Sequence, residues 1–353
     1  MGIGGYKMLD DVNVIKQRDP QGALHVASQQ YLQTQFSALV DNGAHDHRDI
    51  TRVVVAGMGG SALAALVVKA WLKNQLNVPF EVVRTYSLPH YVDSQTLVIA
   101  SSYSGNTEET LSGLEEAKVR GAQVAIIAAG GELIRTATMQ DIAHVQLPAG
   151  LQPRMAVIDN LRALVALLVH FDVADSSVFE EIEHQAAWLE QETVQWVSSV
   201  TTDKNYAKQL ALLAVGKTPV FYAGSLMAPV AYKWKISWNE NAKNVAFWNE
   251  LPEFNHNEFI GWTSHPIEKP FVIFDLVSQF EHPQIVKRFE VSDRLLSGKR
   301  PKSHVVNLAG ETVIAQMLWA SILADFVSIY VAILNGVDPT PVPLIEKLKK
   351  ELA

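Results

Sequence analysis

Ser102, Ser104 and Thr107 surround Gly105 in the stretch Ser102-Tyr103-Ser104-Gly105-Asn106-Thr107-Glu108-Glu109-Thr110. An apolar run, Leu97-Val98-Ile99-Ala100, precedes it, and a helical pattern reaching Arg120 follows. The hydroxyls therefore sit at a strand-to-helix turn, where open backbone N–H groups and the helix dipole favour an anion. They can donate to phosphate oxygens without imposing a fixed charge, and they exceed what one helix cap requires. Glu108 and Glu109 suit the dipole but repel a phosphate, so the anion is expected on the outer hydroxyls and amides. A second turn of this kind follows Val53-Val54-Val55-Ala56, as Gly57-Met58-Gly59-Gly60-Ser61. Glycines after strands occur in any α/β protein, so this turn alone is ambiguous. It fails the dinucleotide spacing, because position 62 is alanine, and it lacks the lysine of a triphosphate loop. A phosphorylated small molecule fits both turns.

The second constellation is Trp238-Asn239-Glu240-Asn241-Ala242-Lys243, followed by Pro252-Glu253-Phe254-Asn255-His256-Asn257-Glu258. Asparagine and histidine so dense among apolar neighbours suggest polar groups held in a cleft; the plain alternative is a pair of capped turns. A metal on His256 and Glu258 lacks a further histidine at ligand spacing, His265 falling in an expected loop. His45-Asp46-His47 lies in a polar loop, where solvent exposure outweighs metal binding.

These residues need a frame. Apolar runs at Val53–Ala56, Phe80–Val83, Leu97–Ala100, Val124–Ala128 and Val145–Leu147 alternate with helical stretches, the pattern of a parallel sheet covered on both faces. Gly121 falls where the helix from Thr107 should end. Strands return at Val220–Ala223, Phe271–Asp275 and Val305–Leu308. Leu24 to Leu39, Met155 to Phe171 and Val178 to Ser199 read as helices. The expected domains are a helical extension over 1–50, a first α/β domain over 51–175, a helical connection over 176–210 and a second α/β domain over 211–353. Only Gly224-Ser225 follows Ala223, so the second domain has no hydroxyl-rich loop like the first.

Composition bounds the rest. The chain has 353 residues, 48% of them hydrophobic and 19% charged, enough for two good cores. A net charge of −8 argues against non-specific nucleic-acid binding, which needs a basic face. Without cysteine there are no disulfides and no thiolate chemistry. That usage fits a cytoplasmic protein, and no signal peptide is expected at the start. Val313 to Leu334 is long and apolar, but Gln316, Asp325 and Ser328 interrupt it. An aspartate at mid-membrane is costly, so a buried core helix is the better reading and no membrane is implied.

Gly-Met-Gly-Gly-Ser at 57–61, the serine loop at 102–110, Asn-Glu-Asn-Ala-Lys at 239–243 and Asn-His-Asn-Glu at 255–258 occur in an order that resembles the bifunctional phosphoglucose/phosphomannose isomerases of the sugar isomerase (SIS) superfamily. The ending Asp338-Pro339-Thr340-Pro341-Val342, with Ile345 and Leu348-Lys349, is similar too. The match runs from about 50 to 350 in order. The serine loop alone would identify only the superfamily.

The resemblance implies two SIS-type, doubly wound parallel-sheet domains of flavodoxin-like three-layer form, with extra helices. It implies isomerisation of glucose 6-phosphate, and of mannose 6-phosphate, to fructose 6-phosphate without metal or other cofactor. Gly59, Ser61, Ser102, Ser104 and Thr107 match positions that hold the sugar phosphate and nearby hydroxyls. Arg154 matches an arginine beside the reacting carbons, and Glu240 the base that moves a proton between C2 and C1. His256 matches the histidine of ring opening, supplied in the family by the partner of a homodimer. Lys349 matches a lysine near the ring oxygen, with Lys347 and Lys350 as neighbouring candidates. Val342 stands where some members carry threonine, near C2, which bears on the balance between glucose and mannose phosphates. Two other readings stand beside this one. A phosphosugar-binding regulator would keep the pocket, but its usual basic DNA-binding domain does not fit in the first 50 residues. A SIS isomerase of a heptose or amino-sugar phosphate is the other.

Overall fold

A computed structural model describes residues 2–264 and 268–352. The chain forms two compact units, residues 30–188 and residues 1–29 together with 189–353.

In the 30–188 unit, β1 (Arg52–Gly57), β2 (Phe80–Val83), β3 (Thr96–Ser101), β4 (Gln123–Ala128) and β5 (Ala143–Gln146) pair in parallel, in the order β2-β1-β3-β4-β5. β-Branched and aliphatic residues make these strands, and every residue of β3 is buried. Such continuous burial is what helices on both faces of a parallel sheet impose. The order is that of a flavodoxin-like doubly wound sheet, whose ligands bind beyond the strand ends where the winding reverses. Here that point lies between β1 and β3, with Gly57 opposite Ser101. Helix Glu108–Val119 closes as the glycine foretold: Gly121 is left-handed, its N–H reaches Lys118 O, and Ala122 N–H reaches Ala117 O.

The other unit carries β6 (Thr218–Gly224), β7 (Phe247–Leu251), β8 (Phe271–Val277) and β9 (Ser303–Asn307), parallel in the order β7-β6-β8-β9. Helix Val313–Asn335 is long and apolar enough to cross a membrane by composition, yet 94% of its apolar window is buried inside the protein. It packs on helix Ala228–Asn241, where Trp234 and Trp238 meet Phe221 at 5.3 Å between ring centroids. Residues 1–29 are stitched into this unit. Asp10 accepts from the fully buried Lys208 ammonium at 3.0 Å, and Arg18 donates to Ile333 O at 2.5 Å.

Two local expectations need correction, and one strand went unpredicted. Leu24 to Leu39 is not one helix: Ala23–Ser28 is α-helical and Gln30–Gln35 is a 3-10 helix. Gln30, Gln33 and Thr34 point inward there, reversing the apolar pattern. Val178 to Ser199 breaks into Ser177–Glu183 and Ala186–Thr193, and its buried residues serve two cores, Ile182 in one unit and Leu189 in the other. Strand β7 carried no sequence signal, because it is an edge strand with a polar middle at Asn249 and Glu250.

Candidate active site

The serine loop leaves β3 at the switch point. Ser102 Oγ lies 2.7 Å from Thr107 Oγ1 and 3.4 Å from Ser104 Oγ, so three hydroxyls share one small volume. Thr107 is the N-cap residue of helix Glu108–Val119, yet its hydroxyl bonds Ser102 rather than the first-turn N–H groups. Those amides face the same turn, which is the arrangement an oxyanion needs. Ser61 ties the loop after β1 to the loop after β3 by accepting the Tyr103 N–H at 3.2 Å. Gly59 opens the helix after β1 in a left-handed conformation. Gly105 is also left-handed, and a Cβ there would lie 1.8 Å from Gly130 O. No other residue fits. Glu108 accepts from the Tyr86 hydroxyl at 3.1 Å, an outward partner for the carboxylate that would repel a phosphate.

Arg154 lies in the same unit, in the 3-10 turn Pro153–Met155, and is 2% exposed. This turn rests on helix Gly59–Trp71 because Gly60 has no side chain; a Cβ would meet Pro153 O at 2.6 Å. Gln33 clamps the turn from the other side, donating to Met155 O at 2.7 Å and accepting the Asp159 N–H at 3.2 Å. Asn160 donates to Ala156 O and accepts from Ser101 Oγ, each at 3.2 Å. The arginine turn is thus tied directly to the end of β3. Asp159 beside it is 3% exposed, and burial pushes its carboxyl up to about 7.

Glu240 belongs to the other unit. It occupies the last turn of helix Ala228–Asn241 and is half-buried. Lys243, left-handed just beyond, donates its ammonium to Glu240 O at 2.6 Å and to Pro339 O at 2.9 Å. His256 ends the 3-10 turn Glu253–His256 and is exposed. Asn255 anchors that turn, donating to Ser292 Oγ at 2.9 Å and accepting from Arg288 at 3.1 Å. Glu258 is committed elsewhere: it accepts from the Tyr222 hydroxyl and from Asn249 Nδ2 at 2.7 Å. Burial, followed by the Glu258 charge, pushes the Tyr222 hydroxyl far up, so it remains a donor. Among the described residues no group of three or more His, Asp or Glu is placed to hold a metal. His265 lies outside the described residues. Lys349 is exposed on helix Pro343–Leu352 together with Lys347 and Lys350, and Lys347 faces Glu351 at 3.6 Å.

The switch point of the second sheet is filled by protein. Glu281, after β8, is 6% exposed and accepts the Met227 N–H at 2.9 Å, at the start of helix Ala228–Asn241. A carboxylate of the chain itself occupies the helix N-terminus where an anion would bind.

The structure therefore gathers Ser61, Ser102, Ser104 and Thr107 with Gly59, and packs the Arg154 turn on the same helix. It sets Glu240, His256 and Lys349 on three different elements of the other unit. Gln33 and Asn160 give no sequence signal, since a lone buried amide looks like any surface amide. Lys243 was legible only as part of Asn-Glu-Asn-Ala-Lys.

Residues 48–169 match the SIS domain model, and residues 203–352 match the bacterial phospho-glucose isomerase C-terminal SIS domain model. A bifunctional phosphoglucose/phosphomannose isomerase from Caldicellulosiruptor bescii is 37% identical, over 86% of this chain and 90% of its own length. One of the same description from Aquifex aeolicus is 33% identical, over 85% and 90% respectively. A D-glucosamine-6-phosphate 4-epimerase from Sulfolobus acidocaldarius is 34% identical over 59% of this chain and 62% of its own. In fold, the chain resembles the C-terminal domain of glucosamine-fructose-6-phosphate aminotransferase from Francisella tularensis, with TM-score 0.67, 14% identity, and coverage of 90% of this chain and 97% of that one. With two SIS-type sheets, the hydroxyl loop at the first switch point and relatives this similar along most of its length, the chain belongs to the bifunctional phosphoglucose/phosphomannose isomerase family.

Proposed function

We propose that the protein interconverts glucose 6-phosphate, and also mannose 6-phosphate, with fructose 6-phosphate through a cis-enediolate, without a metal. The observation that carries the substrate class is the convergence of Ser102, Ser104 and Thr107 hydroxyls at the β1–β3 switch point. With Ser61 and the Gly59 turn they hold the phosphate and nearby hydroxyls. Glu240 takes the proton from C2 and returns it to C1, as one carboxylate on one face of the enediolate can. The Arg154 guanidinium stabilises the charge on the enediolate oxygen, the task a metal would otherwise serve. His256 moves the proton in ring opening, and Lys349 assists at the ring oxygen. Binding energy from the remote phosphate orients the sugar for these steps.

The α/β domains 51–175 and 211–353 divide these tasks, with 176–210 as the connection and the N-terminal helices of residues 1–29 belonging to the second. In this reading the enzyme is a cytoplasmic homodimer in which His256 serves the partner's site, and neither nucleic acid nor membrane is a partner. Val342 in place of threonine favours glucose over mannose phosphate. A coupled assay on glucose, mannose and fructose 6-phosphates, with and without chelator, tests the activity. Glu240→Gln is expected to abolish turnover while phosphosugar binding survives; near-normal turnover removes Glu240 from the role of base. Chelator-sensitive activity overturns the metal-free chemistry. The epimerase relative favours one rival substrate, glucosamine 6-phosphate, which belongs in the same assay.

A further inference from the structure

Helix Ala228–Asn241, which ends with Glu240 and Asn241, carries a polar line that isomerisation does not use. Lys233, Ser237 and Asn241 recur every four residues and so share one helical face. That face meets Asp325, fully buried at the middle of the apolar helix Val313–Asn335. The Lys233 ammonium donates to both Asp325 oxygens, at 2.7 and 2.9 Å. Ser237 Oγ donates to Asp325 Oδ1 at 2.7 Å. Asn241 Nδ2 lies 3.5 Å from the same oxygen and donates to Ser328 Oγ at 2.9 Å. One carboxylate thereby gathers three successive turns of the neighbouring helix.

Stability is by itself a weak reason for this arrangement. A buried ion pair loses about as much hydration as it regains in attraction, and apolar residues of similar volume often do as well. Directional bonds do what an apolar seam does not. Side-chain ridges packed in grooves allow small slides and rotations between helices. A bidentate pair with two further bonds from the same face leaves one axial position and one rotation. Glu240 is the residue before Asn241, so the direction in which its side chain leaves the helix is set by the same bonds. Lys243 holds the end of this helix through Glu240 O.

We propose that Asp325, with Lys233, Ser237 and Asn241, is a positioning device that sets the axial register and rotation of the Glu240 carboxylate against the carbon-bound proton. The proposal rests on Glu240 being the base, as proposed above. None of these four side chains need touch the sugar.

The test is the double variant Lys233→Met/Asp325→Leu, which replaces the pair with apolar side chains of similar size. It is expected to unfold at or above the parent's Tm and to keep KM within about two-fold, while kcat falls roughly ten- to a hundred-fold, as small misplacements of reacting groups do. Misplacing the base makes proton transfer more limiting, so the isotope effect on kcat with substrate deuterated at C2 is expected to rise, which lost packing alone would not cause. A folded double variant whose kcat is within about two-fold of the parent, with an unchanged isotope effect, overturns the proposal. Should the double variant fail to fold, Ser237→Ala/Asn241→Ala keeps the ion pair and is read the same way. Glu240→Gln is measured alongside. If it turns over normally, the base assignment falls and the proposal with it. If it is inactive while the folded positioning variants keep full kcat and an unchanged isotope effect, only the positioning role falls.

Discussion

At the scale of single residues, two carboxylates near the arginine and serine turns behave in opposite ways. Glu108 is exposed on a helix first turn and has a tyrosine partner, whereas Asp159 is buried. Burial raises the Asp159 carboxyl from its ordinary 3.8 to about 7. The native protein holds this proton more tightly than the unfolded chain does. Unfolding therefore releases it between pH 4 and 7, and stability falls as pH rises across that window. Below pH 4 the carboxyl is protonated in both states and has no effect. Asp159→Asn is expected to raise stability by on the order of 4 kcal/mol at pH 8 and to change little at pH 4. Denaturant unfolding of both proteins at the two pH values checks this; an equal change at both would show that charge is not the cause. Ser102, Ser104 and Thr107 were legible from their types and spacing. Asp159 was not, because nothing in Val-Ile-Asp-Asn says which side of the helix is covered.

At the scale of elements, helix Ala228–Asn241 shows how an end is finished by a residue from outside it. Lys243 is left-handed, which suits glycine, yet its ammonium satisfies Glu240 O and Pro339 O. Lys243→Gly loses those bonds but relieves the backbone, whereas Lys243→Ala loses them and keeps the left-handed cost. The alanine variant should be the less stable by about 1 kcal/mol. Chemical denaturation of the two distinguishes them, and equal stabilities would mean that the left-handed turn is not what Lys243 is limited by. Long elements with one environment were readable: β1, β3, and the buried helix Val313–Asn335. The expected helix at 24–39 broke where the chain passes from one unit to the other, and the one at 178–199 broke at 184–185, just before its second half crosses between units. A periodicity read along the chain assumes that one helix faces one core, and there the assumption fails.

At the scale of the whole molecule, the chain begins and ends in the same unit, with residues 30–188 inserted between. Lys208 has no exposure, and its charge is matched by Asp10, far away in sequence. The proposed exchange of His256 between subunits belongs to this scale as well. Glu240→Gln and His256→Ala are each expected to be nearly inactive alone. If subunits exchange, mixing the two gives some dimers with one intact site, so about a quarter of parental sites are recovered at equal amounts when pairing is random. Size-exclusion chromatography with the activity of the mixture checks this. No recovery from a mixture shown to contain heterodimers means that His256 acts within its own chain.

The type of sheet, and the residues from which a phosphate site could be argued, were readable along the chain alone. Hydroxyls at a strand-to-helix turn, a carboxylate–asparagine motif, and alternating apolar strands and helices are local facts, carried by residue type and spacing. Tertiary structure decided what holds those groups in place. Gln33 and Asn160 fix the arginine turn, Asp325 gathers one face of the Glu240 helix, and Glu281 fills the second sheet's anion position. Each of these joins residues distant in sequence, and a buried polar side chain reveals its partner only once the chain has folded around it.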